Sequence, residues 1–176
     1  MHAVDITMHL SKFTDYALRV CLYLGAHPER LVPISEMARA HDLSQSNLMK
    51  VVHQLVEGGF LSSTRGRSGG IRLARPAEEI RLGAVARYME SDGAMVDCSS
   101  CILRGSCGLV PALHEARMAF FAVLDSQTLD RAVKSHPRML PILRSAADKQ
   151  GSGACGAAPA TAPARPRRVE DPTPVK

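Results

Sequence analysis

The run Ile34-Ser-Glu-Met-Ala-Arg-Ala-His-Asp-Leu-Ser-Gln-Ser-Asn-Leu-Met-Lys-Val-Val-His-Gln-Leu-Val-Glu57 decides the fold. Ser35 is placed to cap a short helix carrying Met37 and Ala38 and ending near His41. Asp42-Leu43-Ser44 then reads as a turn, with Leu43 as a buried plug. Ser44 is placed to cap a longer helix whose apolar positions are Leu48, Val51, Val52 and Leu55, and Gly58-Gly59 stops it. Two helices joined by a three-residue turn, the second polar at its start, follow the helix-turn-helix plan. In that plan the early residues of the second helix face base edges in the major groove. Here these are Gln45, Ser46, Asn47 and Lys50: amides suited to adenine, and a cation suited to phosphate or guanine. On this stretch alone, a plain helical hairpin with a solvated polar face remains in competition.

The residues that follow weigh against that competitor. Phe60–Arg65 and Ile71–Ala74 read as two short strands around Gly66-Arg67-Ser68-Gly69-Gly70. Between Phe60 and Pro76 stand four arginines, Arg65, Arg67, Arg72 and Arg75, and no acidic residue. A nucleotide-binding glycine loop would open into a helix and end in Gly-Lys-Ser/Thr; this one runs into a strand and lacks that ending. A β-hairpin wing fits better, with Arg65 or Arg67 reaching into a minor groove, where negative potential draws guanidinium groups.

Working outward, Leu10–Ala26 reads as a helix with Phe13, Ala17, Val20, Cys21 and Leu24 on one stripe. Ser11 or Thr14 caps it, His27-Pro28 ends it, and Cys21 belongs to the core. Residues 1–7 lack periodicity and form a loose extension. Ala77–Glu90 is amphipathic through Ile80, Leu82, Val85, Ala86 and Met89, and Asp92-Gly93 breaks it. Gly108–Leu124 is a long helix with a seam of Leu109, Leu113, Ala116, Phe120 and Val123, widened by Met118, Phe121 and Leu124. So broad a stripe exceeds what one small domain buries, so this helix is expected to pack against its twin in a homodimer. Two-fold symmetry also suits two half-sites on a duplex. Thr128–Lys149 reads as short helical pieces broken by Pro137 and Pro141. Gln150–Lys176 is rich in Ala, Pro and Gly and is expected to be disordered, with Cys155 given no role. The expected class is mainly α with a small β-hairpin wing: a winged helix-turn-helix DNA-binding domain (8–90), a cysteine loop (91–108), then a long dimerisation helix with C-terminal helical pieces (109–149).

Charge agrees with a nucleic-acid partner. Across 176 residues the net charge is +5 with a pI near 9.2. From Lys12 to Arg75 there are 9 Lys/Arg against 5 Asp/Glu, whereas from Pro76 to Gln150 the two balance at 9 each. The surplus sits where a footprint on phosphates would lie. No apolar run approaches the length of a membrane span, and no secretion signal precedes the domain, so a cytoplasmic setting is expected.

Asp97-Cys-Ser-Ser-Cys-Ile-Leu-Arg-Gly-Ser-Cys-Gly108 holds three of the five cysteines, Cys98, Cys101 and Cys107, as C-x2-C-x5-C. Thiolates are soft ligands for zinc or iron–sulfur iron, and a two-residue gap lets one turn aim two sulfurs at one centre. Structural zinc usually takes four closed ligands, so a lone trio favours a site with a weak or borrowed fourth. A thiol–disulfide switch is the other chemical reading, and absence of any role the bland one. The chain shows no H-E-x-x-H, nucleophile elbow or Rossmann fingerprint, and His41, His53 and His114 stand apart, so an enzyme is not expected.

Four runs carry a resemblance: Leu10–Arg19, Leu48–Leu55, Arg65–Pro76 and Phe121–Leu129. Together they resemble the nitric-oxide-sensitive NsrR repressors, a branch of a winged-helix regulator family that also includes the IscR regulators. The similarity spans about residues 8–133. It implies a homodimer on double-stranded operator DNA, with one iron–sulfur cluster per protomer on Cys98, Cys101 and Cys107. It also implies that Asp15 reaches from the other protomer as fourth ligand. The IscR branch instead uses a histidine three residues after its last cysteine; that position is Val110 here. The first cysteine gap is shorter than in family members, which leaves [4Fe–4S] and [2Fe–2S] both open. The resemblance implies a repressor released from DNA by nitric oxide, derepressing nitrosative-stress genes. An IscR-like iron- or redox-responsive regulator, and a winged-helix thiol or zinc switch, are the alternatives.

Overall fold

Helix α1 (Lys12–Gly25) starts where the Thr14 N–H donates to the Ser11 hydroxyl at 3.1 Å. Its apolar stripe, Ala17, Val20, Cys21 and Leu24, is sealed from water, and the other elements gather on it. Burial pushes the Cys21 thiol up to about 12, so it stays protonated as a small core residue. The computed structural model describes residues 10–90, 95–96 and 98–148. The expected extension at 1–7, the expected tail at 150–176 with Cys155, and residues 91–94 and 97 of the cysteine loop lie outside the described residues.

Helix α2 (Ile34–Ala40) begins earlier than Ser35 allows as a cap. Pro33 holds the N-cap position, and no side chain caps the helix. The gain is that Glu36 turns inward. It accepts hydrogen bonds from Arg30 Nη1 at 2.9 Å, Arg30 Nη2 at 2.6 Å and the Tyr23 hydroxyl at 2.7 Å. Burial alone would raise the Glu36 carboxyl, but Arg30 and Tyr23 together hold it below the ordinary carboxylate value of 4.5. The same group, after burial itself, pushes the Tyr23 phenol upward. Tyr23 also stacks on His27 with centroids 4.6 Å apart. This cluster pins α2 and the preceding loop to α1.

The turn to α3 (Gln45–Glu57) places Asp42 at φ 52° and bonds Leu43 N–H to Ala38 O at 2.8 Å. Leu43 is half-buried rather than sealed. Ser44 does stand at the N-cap, but its hydroxyl pairs with that of Ser46 at 2.9 Å, not with a backbone N–H. Gly59 takes φ 70°, which closes the helix and lets Phe60 N–H reach Leu55 O at 2.9 Å. The wing is β1 (Leu61–Thr64) antiparallel to β2 (Gly70–Leu73), with Leu61 opposite Leu73 and Thr64 opposite Gly70. A bridge between Val32 and Ile71 ties the hairpin back to the α1–α2 connection.

The expected helix over Ala77–Glu90 is only half present: α4 covers Leu82–Met89. Residues 77–80 turn instead, because longer-range bonds outbid the local helix. Leu129 N–H donates to Ile80 O at 2.8 Å, Leu82 N–H to Gln127 O at 3.0 Å, and Arg81 bridges Thr128. The ladder plants fully buried Ile80 in the core. Helix α5 (Leu109–Asp125) matches expectation, and α6 (Leu129–Lys134) starts where the Arg131 N–H donates to the Thr128 hydroxyl. Pro137 separates α6 from α7 (Met139–Asp148), but Pro141 breaks nothing. It occupies the first turn, where its missing N–H has no intrahelical partner to lose. Seven helices and one hairpin thus make up the described residues, a winged helix mainly α in class.

Two outcomes test this packing. Glu36 binds fewer protons in the folded chain, so its contribution is complete above pH 4.5 and is lost as pH falls through the depressed native value. Glu36→Gln should lower stability at pH 7 by about 2 kcal/mol in urea unfolding and flatten the acid limb of the profile. Equal acid limbs in the two proteins would remove Glu36 from the explanation. At the α4–α5 contact, a Cβ on Gly83 would stand 2.7 Å from the Asp125 backbone nitrogen. Gly83→Ala should therefore cost roughly 1–3 kcal/mol by overpacking, despite its better helix propensity.

Candidate functional site

Helix α3 divides cleanly. Leu48, Val51, Val52 and Leu55 fill the core, and Gln45, Ser46, Met49, Lys50, His53 and Gln54 face water. Of the residues expected to read DNA, Gln45, Ser46 and Lys50 lie on this outer face, while Asn47 is half-buried at its margin. Met49 was not singled out from the sequence, yet it is 53% exposed between the polar groups. Its signal was positional: four residues after Gln45, it falls on the face opposite the buried stripe. His53 Nε2 lies 3.6 Å from Glu57 Oε1 along the same face.

The wing sorts its arginines. Arg72 Nε donates across the hairpin to the Ser62 hydroxyl at 3.4 Å, and the Arg75 guanidinium sits 5.7 Å from the Phe60 ring centroid. Both serve the body of the hairpin. Arg65 and Arg67 are exposed at the tip, where Gly66 takes φ 116°. That tip is basic and free of acidic residues, which suits a phosphate-lined groove.

The thiol loop hangs between α4 and α5. Successive turns hold it: Cys101 N–H donates to Cys98 O at 3.4 Å, Arg104 N–H to Cys101 O at 3.1 Å, and Ser106 N–H to Leu103 O at 3.0 Å. Gly105 supplies the φ of 84° that the last bend requires. Cys98, Cys101 and Cys107 are all free; Cys101 is exposed and the other two are partly so. Ile102, between them in the loop, is 99% exposed. Among the described residues of this single chain, no three His, Cys, Asp or Glu side chains converge on one point. The donor set fits a soft metal or cluster in chemistry and in accessibility, with the thiols spread along one loop rather than gathered.

Asp15 stands in the first turn of α1, and Arg19 one turn on holds it by two bonds: Nε to Oδ1 at 2.9 Å and Nη2 to Oδ2 at 2.8 Å. The thiols and Asp15 are therefore not brought together within one chain. What the chain does join is the start of the loop to the start of α1. Glu90, the C-cap of α4, accepts the Ser11 N–H at 2.7 Å through Oε1. Neither Arg19 nor Glu90 was drawn from the sequence. The Asp-x-x-x-Arg spacing was a visible helix pair, whereas the Glu90 contact spans 79 residues and left no local trace. His41 packs edge-on against Tyr23 with its Nε2 buried and unpartnered. Burial, and then the Arg19 charge, lower its pKa.

Comparison with known proteins bears on the family and the fold. The family model described as "Rrf2: Iron-dependent Transcriptional regulator" matches residues 10–135. The chain is 37% identical over 142 residues to the HTH-type transcriptional regulator NsrR of Oceanobacillus iheyensis, covering 77% of this chain and 97% of that protein. It is 38% identical over 143 residues to the NsrR of Bacillus subtilis, covering 78% and 98%. Among solved structures, CymR, the global cysteine regulator of B. subtilis, superposes with a TM-score of 0.62 at 25% identity, covering 74% of this chain and 99% of that one. The chain therefore belongs to the Rrf2 family, and it is a winged-helix transcriptional regulator that binds DNA rather than an enzyme.

Proposed function

We propose that the chain is a cytoplasmic, homodimeric repressor whose thiol loop carries an iron–sulfur cluster, [4Fe–4S] or [2Fe–2S], and that nitric oxide releases it from operator DNA to derepress nitrosative-stress genes. One observation carries the reading. Three free thiols lie in the chain between α4, whose C-cap Glu90 accepts the N–H of Ser11 at the N-cap of α1, and α5. Cys98, Cys101 and Cys107 would hold the cluster, with Asp15 of the partner subunit as a harder fourth ligand, freed from Arg19. Bound there, the cluster would supply thiolate-held iron, a centre with affinity for nitric oxide.

The remainder follows from the chain's own residues. On α5 only Phe121 is buried, while Leu109, Val110, Met118, Phe120 and Val123 remain at the surface. Of these, Leu109, Phe120 and Val123 share one stripe of the helix, and that exposed stripe supports the dimer, since two copies would cover it mutually. Gln45, Ser46, Asn47 and Lys50 would face bases, and Arg65 and Arg67 a minor groove. Because Asp15 lies on α1, against which α3 packs, loss of that ligand would turn one reading helix relative to the other. Each base contact is worth about 1–3 kcal/mol, so a small rotation that misaligned several of them would release the duplex. Surface exposure of Cys101 favours a second reading, a thiol or zinc switch on the same loop, and an iron-free, colourless protein from anaerobic purification would support it. An IscR-like regulator would differ in its signal, responding to iron or oxidants rather than nitric oxide.

Anaerobic holoprotein titrated with nitric oxide should lose its duplex in step with its cluster absorbance. Unchanged affinity after that absorbance collapses would break the proposed coupling. Asp15→Ala should alter the cluster spectrum and the nitric oxide response, and an unaltered pair would rule out the borrowed carboxylate. Arg65→Ala and Arg67→Ala should each weaken binding similarly across sequences and reduce the salt slope by about 1 per protomer. A slope identical to that of the native chain would place both arginines off the phosphates.

A further inference from the structure

We propose that Met49 reads the C5-methyl group of a thymine in the major groove of each half-site. The inference rests on α3 being the base-reading helix and adds a specificity residue that its polar groups do not supply.

Met49 lies outside the hydrophobic core and outside the ring of partly buried residues packed on it. Leu48, Val51, Val52 and Leu55 already fill the inner side of α3, so folding makes no demand on the Met49 side chain. Single exposed apolar residues are ordinary on protein surfaces, so exposure alone decides nothing. Its company does. Gln45 and Ser46 lie one turn before it, Lys50 beside it and His53 one turn after, all exposed on the same face. Each neighbour ends in a hydrogen-bonding or charged group, and Met49 is the apolar spot in their midst.

A major groove presents hydrogen-bond donors and acceptors on every base edge and a single apolar feature, the thymine methyl. A side chain without donors facing an amide or carbonyl edge would strip water from that edge and return nothing. Facing a methyl, it removes apolar surface from water on both partners. An unbranched thioether with three rotatable bonds suits the task, since it adjusts to the groove wall and its sulfur is polarisable. Removing one methyl group from such an apolar pair corresponds to about a 4-fold weakening.

The test uses the full-length chain, purified anaerobically, and duplexes it selects from a randomised pool. Each thymine of the selected site is replaced in turn by uracil, which keeps base pairing and loses only the methyl. The native chain should show one thymine per half-site where uracil weakens binding about 4-fold or more. Met49→Ala, and the similarly sized polar Met49→Gln, should bind the thymine and uracil duplexes equally, whereas Met49→Leu should keep the discrimination. A thymine-to-uracil ratio that is the same in native chain, Met49→Ala and Met49→Gln overturns the proposal. Gln45→Ala separates the two levels. If it shifts the selected bases while that ratio is the same in native chain, Met49→Ala and Met49→Gln, only the role of Met49 falls; if the ratio is the same in all three and Gln45→Ala also shifts nothing, α3 does not read bases and both readings fall.

Discussion

The close approach of α4 to the end of α5 sets how the thiol-bearing segment is held relative to the helices of the winged domain. Gly83 leaves the space that Asp125 occupies, Arg87 reaches the Asp125 carboxylate, and Leu82 N–H closes on Gln127 O at 3.0 Å. One end of α4 is thereby locked to the far end of α5. The thiol loop connects the two remaining ends, so it spans a gap whose width is already set. Through α4 that gap refers to α1, and through α1 to α3. A regulator needs such rigidity, because a switch can move a reading helix only through packing that does not yield first.

Much of this architecture was legible in the residues. Helices α1, α3 and α5 announce themselves by three- and four-residue spacing, and the wing by its glycines and arginines. The failures share a cause. Residues 77–80 have a helical pattern, but the Ala77 and Ile80 carbonyls accept from the Asp130 and Leu129 N–H groups, a pairing across about fifty positions that no local window contains. Ser35 and Ser44 are good capping residues in the wrong geometry, since Pro33 starts α2 early and Ser44 prefers the Ser46 hydroxyl. Pro141 looked like a break because its place within the first turn depends on where α7 begins. Glu36 was the least legible of all. A carboxylate inside an apolar cluster is tolerable only with Arg30 and Tyr23 around it, and one of those partners sits 13 residues away.

Within the candidate site, residue identity was easier to read than residue availability. Counting arginines gives a strongly basic wing, but Arg72 and Arg75 are engaged with Ser62 and Phe60. All four keep their positive charge, but Arg65 and Arg67 at the tip are the two whose guanidinium groups are not engaged with these hairpin side chains. Likewise α3 has four positions of suitable chemistry, yet the helix phase brings Gln45, Ser46 and Lys50 outward and leaves Asn47 at the edge. Phase also put Met49 on the outer face, where polarity alone would not have looked.

No side chain from Cys98 to Gly108 is buried, and short-range bonds within the segment shape it: the backbone turns and the Arg104 Nη1 bond to the Ser99 carbonyl at 3.3 Å. Ordering a residue costs about 1–2 kcal/mol in backbone freedom, and here no apolar burial offsets it. A ligand that clamped the three thiols would have to supply that ordering from its own bond energy, so its apparent affinity would be a difference between bond strength and lost chain freedom. The tight spacing of Cys98 and Cys101 works in the ligand's favour, because closure entropy rises with the length of the closed loop. A clamp on these thiols would thus act as the missing hydrophobic core of its own loop.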